Sequence, residues 1–319
     1  MNELANQIKL FSGRSNPQLA KRICDYLDIP LGRTTCETFP DGELFVKLQD
    51  DVRGQDVFIM QSTCNPVNEN LVELLVFIDC VRRASARRIT AVLPYFGYAR
   101  QDRKDEGRTP ITAKLVSNLI TCAGANRVLA MDLHAAQIQG FFDIPMDHLL
   151  AEPVFTRHFR QVYEKPPVFV SPDVGNIKRV RMYAQRMGGE LAIIDKRRVS
   201  GSHAQVENVI GEVEGRDVLM IDDMIATAGT VCEAAKIVKR AGARRIGVAA
   251  THAVLCGPAF ERLEEAGIDE LTVTDTIPIT DEARRRLPMM RVLSVSELLG
   301  EAIRRIHRNE SVSSLFLKS

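Results

Sequence analysis

The chain repeats itself, and this restricts its fold more than any single motif does. IKLFSG (Ile8–Gly13) followed by LAKRICDYL resembles VFVSPD (Val168–Asp173) followed by IKRVRMYAQRM. RGQDVFIMQS, from Arg53, resembles GRDVLMIDD, from Gly215, and ASARRITAV, from Ala84, matches AGARRIGVA, from Ala241. NRVLAMD, from Asn126, has its counterpart in DELTVTD, from Asp269. Four segments recur in one order, the first three at a spacing of about 160 residues and the last at 143, the signature of a duplicated unit. A core built from one such unit must be built twice.

Each copy alternates short apolar runs with helical periodicity. Strands are expected near 8–11, 44–48, 57–61, 89–93 and 128–132 in the first, with helices near 16–27, 67–84 and 111–123. In the second, strands are expected near 168–171, 191–195, 208–213, 218–222, 246–250 and 271–274, with helices near 175–187, 230–241, 258–266 and 296–307. That alternation gives an α/β fold with a mostly parallel sheet covered by helices on both faces, and ligands beyond the carboxyl ends of the strands. The pattern is interrupted at IPMDHLLAEP, so the domains are expected at 1–147 and 148–304, with the tail 305–319 free to pack on the first.

The formal net charge is +1, from 42 basic and 41 acidic residues, so no overall field recruits nucleic acid or a membrane and any anion site is local. There is no apolar run long enough to span a bilayer and no signal-peptide pattern, and the seven cysteines are scattered without a C-x-x-C pair. A cytoplasmic protein with reduced, packed thiols is expected.

In VLMIDDMIATAGT, from Val218 to Thr230, an apolar strand ends at Asp222 and Asp223, and a loop of small residues leads into a helix. Strand, small-residue loop and helix point backbone N–H groups at an anion, so phosphate fits the loop. The carboxylates suit sugar hydroxyls or a divalent cation; solvated strand-end carboxylates are the alternative. The first copy has MQSTCNPVNEN at the same place, without the acidic pair, so only the second half holds a phosphosugar in this way.

The first half has its own charged stretch, PYFGYARQDRKDEGR, from Pro94 to Arg108, either a polyphosphate clamp or a solvated loop. His134 follows one predicted strand and Asp173 another, and the two could share a metal across the domain cleft. Lys196 to Glu207 reads as a basic mobile loop or an ordinary hairpin, and FPDGE, from Phe39, as a turn entering a strand.

FSGRSNP, FPDGE, YFGYARQDRK, PITAKLV, MDLHAAQIQGFFDIP, VSPD, KRVRM, IDDM, TAGT and ESVS together resemble the class I ribose-phosphate diphosphokinases (phosphoribosyl-diphosphate synthetases). The resemblance spans nearly the whole chain. It implies two tandem copies of a type I phosphoribosyltransferase-like fold and transfer of the diphosphoryl group of ATP to the 1-hydroxyl of ribose 5-phosphate. The products would be AMP and phosphoribosyl diphosphate for nucleotide biosynthesis.

By the same resemblance, Phe39, Asp41, Gly42 and Glu43 would hold adenine from a neighbouring subunit, and Arg100 and Gln101 would bind ATP. His134 and Asp173 would contact Mg2+. Asp222 and Asp223 would face the ribose hydroxyls, while Ala226, Thr227, Ala228, Gly229 and Thr230 would cradle the 5-phosphate. Lys196 and Arg198 would be catalytic, closing over the transferring group, with Arg198 also near the sugar phosphate. A homohexamer with active sites at subunit interfaces is implied, as is regulation by phosphate or ADP.

Three positions depart from the family pattern. Ala226 stands where an acidic residue is usual, Gly175–Asn176 replaces a Gly-Gly pair, and Ser314 replaces an aromatic residue in the tail tied to regulation. Ala226 leaves a non-catalytic regulatory subunit as the second reading. A phosphoribosyltransferase that consumes phosphoribosyl diphosphate would leave the YFGYARQDRK clamp without a purpose, and a DNA regulator would need a DNA-binding module that is not present.

Overall fold

The computed structural model describes residues 8–173, 175–198 and 205–317. Its strands are β1 (Ile8–Ser12), β2 (Thr34–Thr38), β3 (Leu44–Leu48), β4 (Asp56–Met60), β5 (Arg88–Leu93), β6 (Arg127–Met131) and β7 (Met146–Leu149). The second half adds β8 (Val168–Ser171), β9 (Leu191–Arg198), β10 (Gln205–Ile210), β11 (Asp217–Ile225), β12 (Arg245–Ala253), β13 (Glu270–Thr274) and β14 (Met290–Leu293).

The duplication is visible in the topology. One sheet runs β1-β4-β5-β6-β7 and the other β10-β9-β8-β11-β12-β13-β14. From β8 to β14 the second order repeats the first strand for strand, with parallel pairing throughout. The fold is two tandem copies of one α/β unit built on a parallel sheet. The hairpins differ: β2 and β3 form a separate antiparallel pair, whereas β9 joins the second sheet beside β8 and carries β10 at its edge.

Both sheets are covered on two faces, which explains their continuous apolar runs. All five residues of β4 are buried, as are all five of β13. One core gathers Phe11, Phe58's neighbours Val57 and Ile59, Phe77 and Ile120; the other gathers Val170, Met220, Val238 and Val248.

Among the described residues the chain divides into one unit of residues 8–151, 276–278 and 294–317 and another within 152–275 and 279–293. The boundaries drawn from the sequence, 147/148 and 304/305, differ from these. IPMDHLLAEP is no interruption but the edge strand β7 and the start of the helix Glu152–Val162. β7 is short and half-exposed, so it carries no apolar run by which to be recognised. The whole helix Ser296–Arg308, not the tail alone, belongs to the first unit. It buries Leu299, Ala302, Ile303 and Ile306 and packs along the helix Pro17–Leu27. At its C-terminal end His307 Nδ1 lies 2.8 Å from Oδ2 of the fully buried Asp56. Arg88 grips the same carboxylate, donating through Nε at 2.8 Å, and donates to the Ile306 carbonyl at 2.9 Å.

Three further expectations change. Residues 34–38, expected as loop, form β2, because the FPDGE turn folds the chain back on itself. The strand expected at 208–213 runs from Gln205 to Ile210. Of the two readings of the stretch after Asp195 the hairpin is the one found, with β9 running past the expected 195 to Arg198, since Lys196 pairs in register with Glu207 and Arg198 with Gln205.

Candidate active site

In the second unit, β11 outlasts its neighbour β8. β8 pairs with it only from Val218 to Met220, whereas β12 follows it to Ile225. Asp222 and Asp223 therefore sit inside an extended strand with one open edge, because the strand expected to end at 222 runs three residues further, to Ile225. Alternation sends adjacent side chains to opposite faces. Asp223 is 5% exposed and has Arg179 Nη2 at 4.0 Å; Asp222 is half-buried, and its Oδ1 accepts the Asp223 N–H at 2.8 Å. Burial first, and the Asp223 charge second, raise the Asp222 carboxyl to about 8. This group is poised for a partner that favours its charged form.

Beyond Ile225 the loop turns through Ala228, whose φ of 58° is left-handed, into the helix Gly229–Arg240. No side chain caps this helix, so its first N–H groups face outward without the usual hydroxyl or carboxylate. The loop is held through two of its carbonyls: Cys256 N–H donates to that of Ala226 at 3.0 Å and Arg262 Nη1 to that of Thr227 at 3.0 Å. Ala226, Thr227, Ala228, Gly229 and Thr230 thus form one anion-accepting turn.

Asp173 follows β8, the strand that pairs with β11, in the same unit. Its carboxylate is exposed; Oδ1 accepts the Asn176 N–H at 2.9 Å, and its carbonyl accepts the Ser171 hydroxyl at 2.7 Å. Asn176 also donates its amide to the Ile221 carbonyl at 2.6 Å. Asn176, standing where the family pattern has glycine, is thus a strut between the Asp173 loop and the exposed edge of β11.

In the first unit a cleft of about 710 Å³ is lined by Asn65, Asn68, Glu69, Tyr95, Tyr98 and both Arg100 and Gln101. Tyr98 adopts a left-handed φ of 64°, its hydroxyl donates to Asn68, and its carbonyl accepts the Gln101 N–H at 2.9 Å. That turn presents Arg100 and Gln101 to solvent at the cleft. Further along, Arg103 pairs with Asp105 at 2.9 Å on the surface, so part of the charged run is a solvated loop.

Phe39, Asp41, Gly42 and Glu43 form the tip of the β2–β3 hairpin. Phe39 N–H donates to the Glu43 carbonyl at 2.8 Å, Glu43 N–H to Asp41 Oδ1 at 3.1 Å, and Gly42 takes φ 94°, which a side chain would strain. Phe39 is 47% exposed, its ring 5.7 Å from that of Phe45. An aromatic displayed at a hairpin tip is suited to stacking on a base.

His134 is exposed in the loop after β6. The Leu133 N–H donates to His148 Nε2 at 2.9 Å, and Asp132, at φ 41°, accepts the Ala151 N–H at 2.9 Å. Asp132 lies within the MDLHAAQ motif, but the support from His148 left no signal there, since it comes from β7, fourteen residues beyond His134. The first unit's counterpart of the phosphate loop is closed: Gln61, Ser62 and Thr63 are buried, and Gln61 Oε1 accepts the Ser15 hydroxyl at 2.7 Å.

Among the described residues no group of three or more His, Cys, Asp or Glu side chains forms a ready-made metal cage. The exposed Asp173 carboxylate is a hard oxygen donor, and Mg2+ characteristically takes one or two carboxylates with the rest of its shell from water and phosphate. The donor set fits that ion. The backbones of Lys196 and Arg198 lie on β9; their side chains, and the hairpin tip beyond, lie outside the described residues. Of the cysteines, Cys24, Cys64 and Cys232 are buried, with burial lifting their thiols to about 12, 11 and 11, while Cys122 and Cys256 are exposed, so the thiols are not all packed.

Residues 8–124 match the family model for the N-terminal domain of ribose phosphate pyrophosphokinase, and residues 203–317 match the phosphoribosyl synthetase-associated domain. A ribose-phosphate pyrophosphokinase of Rhodopirellula baltica is 60% identical, covering 97% of this chain and 98% of its own. One of Synechococcus elongatus is 54% identical, covering 98% and 94%. The crystal structure of phosphoribosylpyrophosphate synthetase from Mycobacterium smegmatis aligns with a TM-score of 0.89 at 42% identity, covering 95% of this chain and 99% of that one.

Proposed function

Because the chain belongs to the ribose-phosphate pyrophosphokinase family, with relatives 60% and 54% identical over 97% and 98% of its length, we infer that it synthesises phosphoribosyl diphosphate. The enzyme transfers the diphosphoryl group of ATP to ribose 5-phosphate. The 1-hydroxyl oxygen bonds to the β-phosphorus, the bond from that phosphorus to the α–β bridging oxygen breaks, AMP leaves, and one proton is released. The observation that carries the residue assignments is the loop 226–230, an uncapped helix start following two adjacent strand carboxylates.

In this reading the N–H groups of 227–230 and the hydroxyls of Thr227 and Thr230 hold the 5-phosphate, and Asp222 and Asp223 accept the ribose hydroxyls. Arg100 and Gln101 hold the ATP phosphates, while Phe39, Asp41, Gly42 and Glu43 hold adenine. Lys196 and Arg198 stabilise the charge that spreads over the transferring phosphoryl oxygens, where positioning and cationic contact supply most of the catalysis. Asp173, with His134, would hold Mg2+, which when bound neutralises phosphoryl charge without proton transfer.

Homo-oligomerisation, with a hexamer as the working state, is supported by exposed apolar side chains on two packed helices. Val72 on Val67–Arg83 is 48% exposed, and Leu115 and Leu119 on Thr112–Ala123 are 54% and 39% exposed. No helix among the described residues is long and apolar enough to cross a membrane, which is compatible with work in the cytoplasm. No observation favours the non-catalytic subunit. Purified protein with Mg2+, ATP and ribose 5-phosphate should form AMP and phosphoribosyl diphosphate in equal amounts. ATP hydrolysis without the sugar product, or no turnover at any substrate concentration, would overturn the reading.

A further inference from the structure

Arg262 stands on the short helix Ala259–Glu265 and reaches across to the loop 226–228. Its Nη1 donates to the Thr227 carbonyl at 3.0 Å. A Cβ built on Gly229 would lie 3.1 Å from that same nitrogen and 3.9 Å from Thr227 Oγ1. The guanidinium, the Thr227 hydroxyl and the first residue of the helix Gly229–Arg240 therefore share one side of the loop. Glycine at 229 leaves that side open.

The remaining guanidinium N–H donors have no protein partner among the described residues, and no carboxylate is paired with the charge. Arg262 is solvent-exposed, so ordering it on a single carbonyl gains little against the lost rotamer freedom. What the geometry does accomplish is to set an unpaired planar cation beside an uncapped helix start. Ala226 contributes no carboxylate to oppose it.

We propose that Arg262 is a substrate-binding residue that donates its free N–H groups to the 5-phosphate of ribose 5-phosphate, adding a fixed cation to the backbone donors of the loop. Guanidinium matches phosphate by paired, charge-assisted hydrogen bonds, which a lysine ammonium supplies only as a point charge. The proposal rests on the loop 226–230 being the 5-phosphate site.

The test is steady-state kinetics of the full chain with Arg262→Ala, Arg262→Lys and, as a control on the loop itself, Thr230→Ala. Arg262→Ala should raise the KM for ribose 5-phosphate about tenfold while the KM for ATP and kcat stay within about twofold, as expected for loss of a charged hydrogen bond at a partly exposed site. Arg262→Lys should recover part of that loss, and calorimetric titration with ribose 5-phosphate should show the same order. An unchanged KM for the sugar, equal rises for both substrates, or a Lys variant as poor as Ala would each overturn the role of Arg262. If Thr230→Ala also leaves sugar binding untouched, the failure lies instead with the assignment of the loop.

Discussion

Asn176 donates its side-chain amide to the Ile221 carbonyl at 2.6 Å, joining the loop that carries Asp173 to the strand residue immediately before Asp222. The bond occupies the edge of β11 that β8 leaves open, so a backbone acceptor is satisfied and two groups of the candidate site are held at a fixed separation within one unit. Asn176→Ala should lower kcat/KM about fivefold, the equivalent of about 1 kcal/mol for one part-buried hydrogen bond, and should raise the Mg2+ concentration needed for half-maximal rate. Unaltered magnesium dependence, measured by titration at saturating substrates, would mean that the strut does not position Asp173.

Asp222 makes activity and stability respond to pH in opposite senses. The folded protein holds this carboxyl protonated to about 8, against 3.8 for an ordinary aspartate, because of burial and the neighbouring Asp223. Folded protein thus binds more protons than unfolded protein in that window, and stability is lost as pH rises through it. Where Asp222 accepts the ribose hydroxyls, as proposed, it must be charged, so binding ribose 5-phosphate should release protons below about pH 8 and its KM should fall as pH rises. Asp222→Asn should flatten the decline of the melting temperature between about pH 5 and 8 and weaken sugar binding at every pH. Parallel melting curves for the two proteins would remove Asp222 as the source.

What the sequence revealed was the duplication, because repeated apolar runs and the ARRI segments persist in both copies. The five-strand order common to the two sheets follows from that. β7 and β2 escaped because edge and hairpin strands with half-exposed residues have no continuous apolar signal. At the site, strand-end carboxylates and a small-residue loop were legible as local motifs. Asn176, Arg262 and His148 were not, since each acts through a contact with a backbone group elsewhere in its unit. The exact end of β11 was also hidden, as it depends on how far β12 accompanies it.

The β2–β3 hairpin, proposed above to hold adenine, has its own tether. Glu73, 1% exposed, accepts the Arg14 backbone N–H at 2.6 Å and Arg14 Nε at 2.7 Å, and Arg14 Nη1 reaches Thr38 Oγ1 at 3.0 Å. Thr38 immediately precedes Phe39. Arg14→Ala should raise the KM for ATP about threefold to tenfold with little effect on that for ribose 5-phosphate. Arg14 is itself 42% exposed, so the stability loss should stay near 1 kcal/mol. A rise in both KM values together would show a general loosening instead.

The C-terminal helix is locked by a buried charge. Asp56→Ala removes the shared partner of Arg88 and His307 and leaves Arg88, only 22% exposed, without its carboxylate. Breaking one side of a buried ion pair costs about 3 kcal/mol or more, so urea unfolding should show a large fall in midpoint. His307→Gln should cost less, because Arg88 still satisfies Asp56 through two nitrogens and holds the Ile306 carbonyl. Equal losses for the two variants would shift the lock from Asp56 to His307.

Ala226→Asp tests the electrostatics of the phosphate loop directly. A carboxylate two residues before the left-handed Ala228 approaches both the uncapped helix start and the carbonyl that Arg262 engages. With no sugar bound, it should stabilise the helix by about 0.5–1 kcal/mol through its favourable position at the N-terminus. With sugar present, the same carboxylate competes with the 5-phosphate for those donors and offsets the charge of Arg262. The melting temperature of the free protein should therefore rise while the KM for ribose 5-phosphate increases, the increase shrinking at high salt as the charges are screened. Identical kinetics for Ala226 and its Asp variant would show that the position serves only through its backbone, and that the field of this loop is set elsewhere.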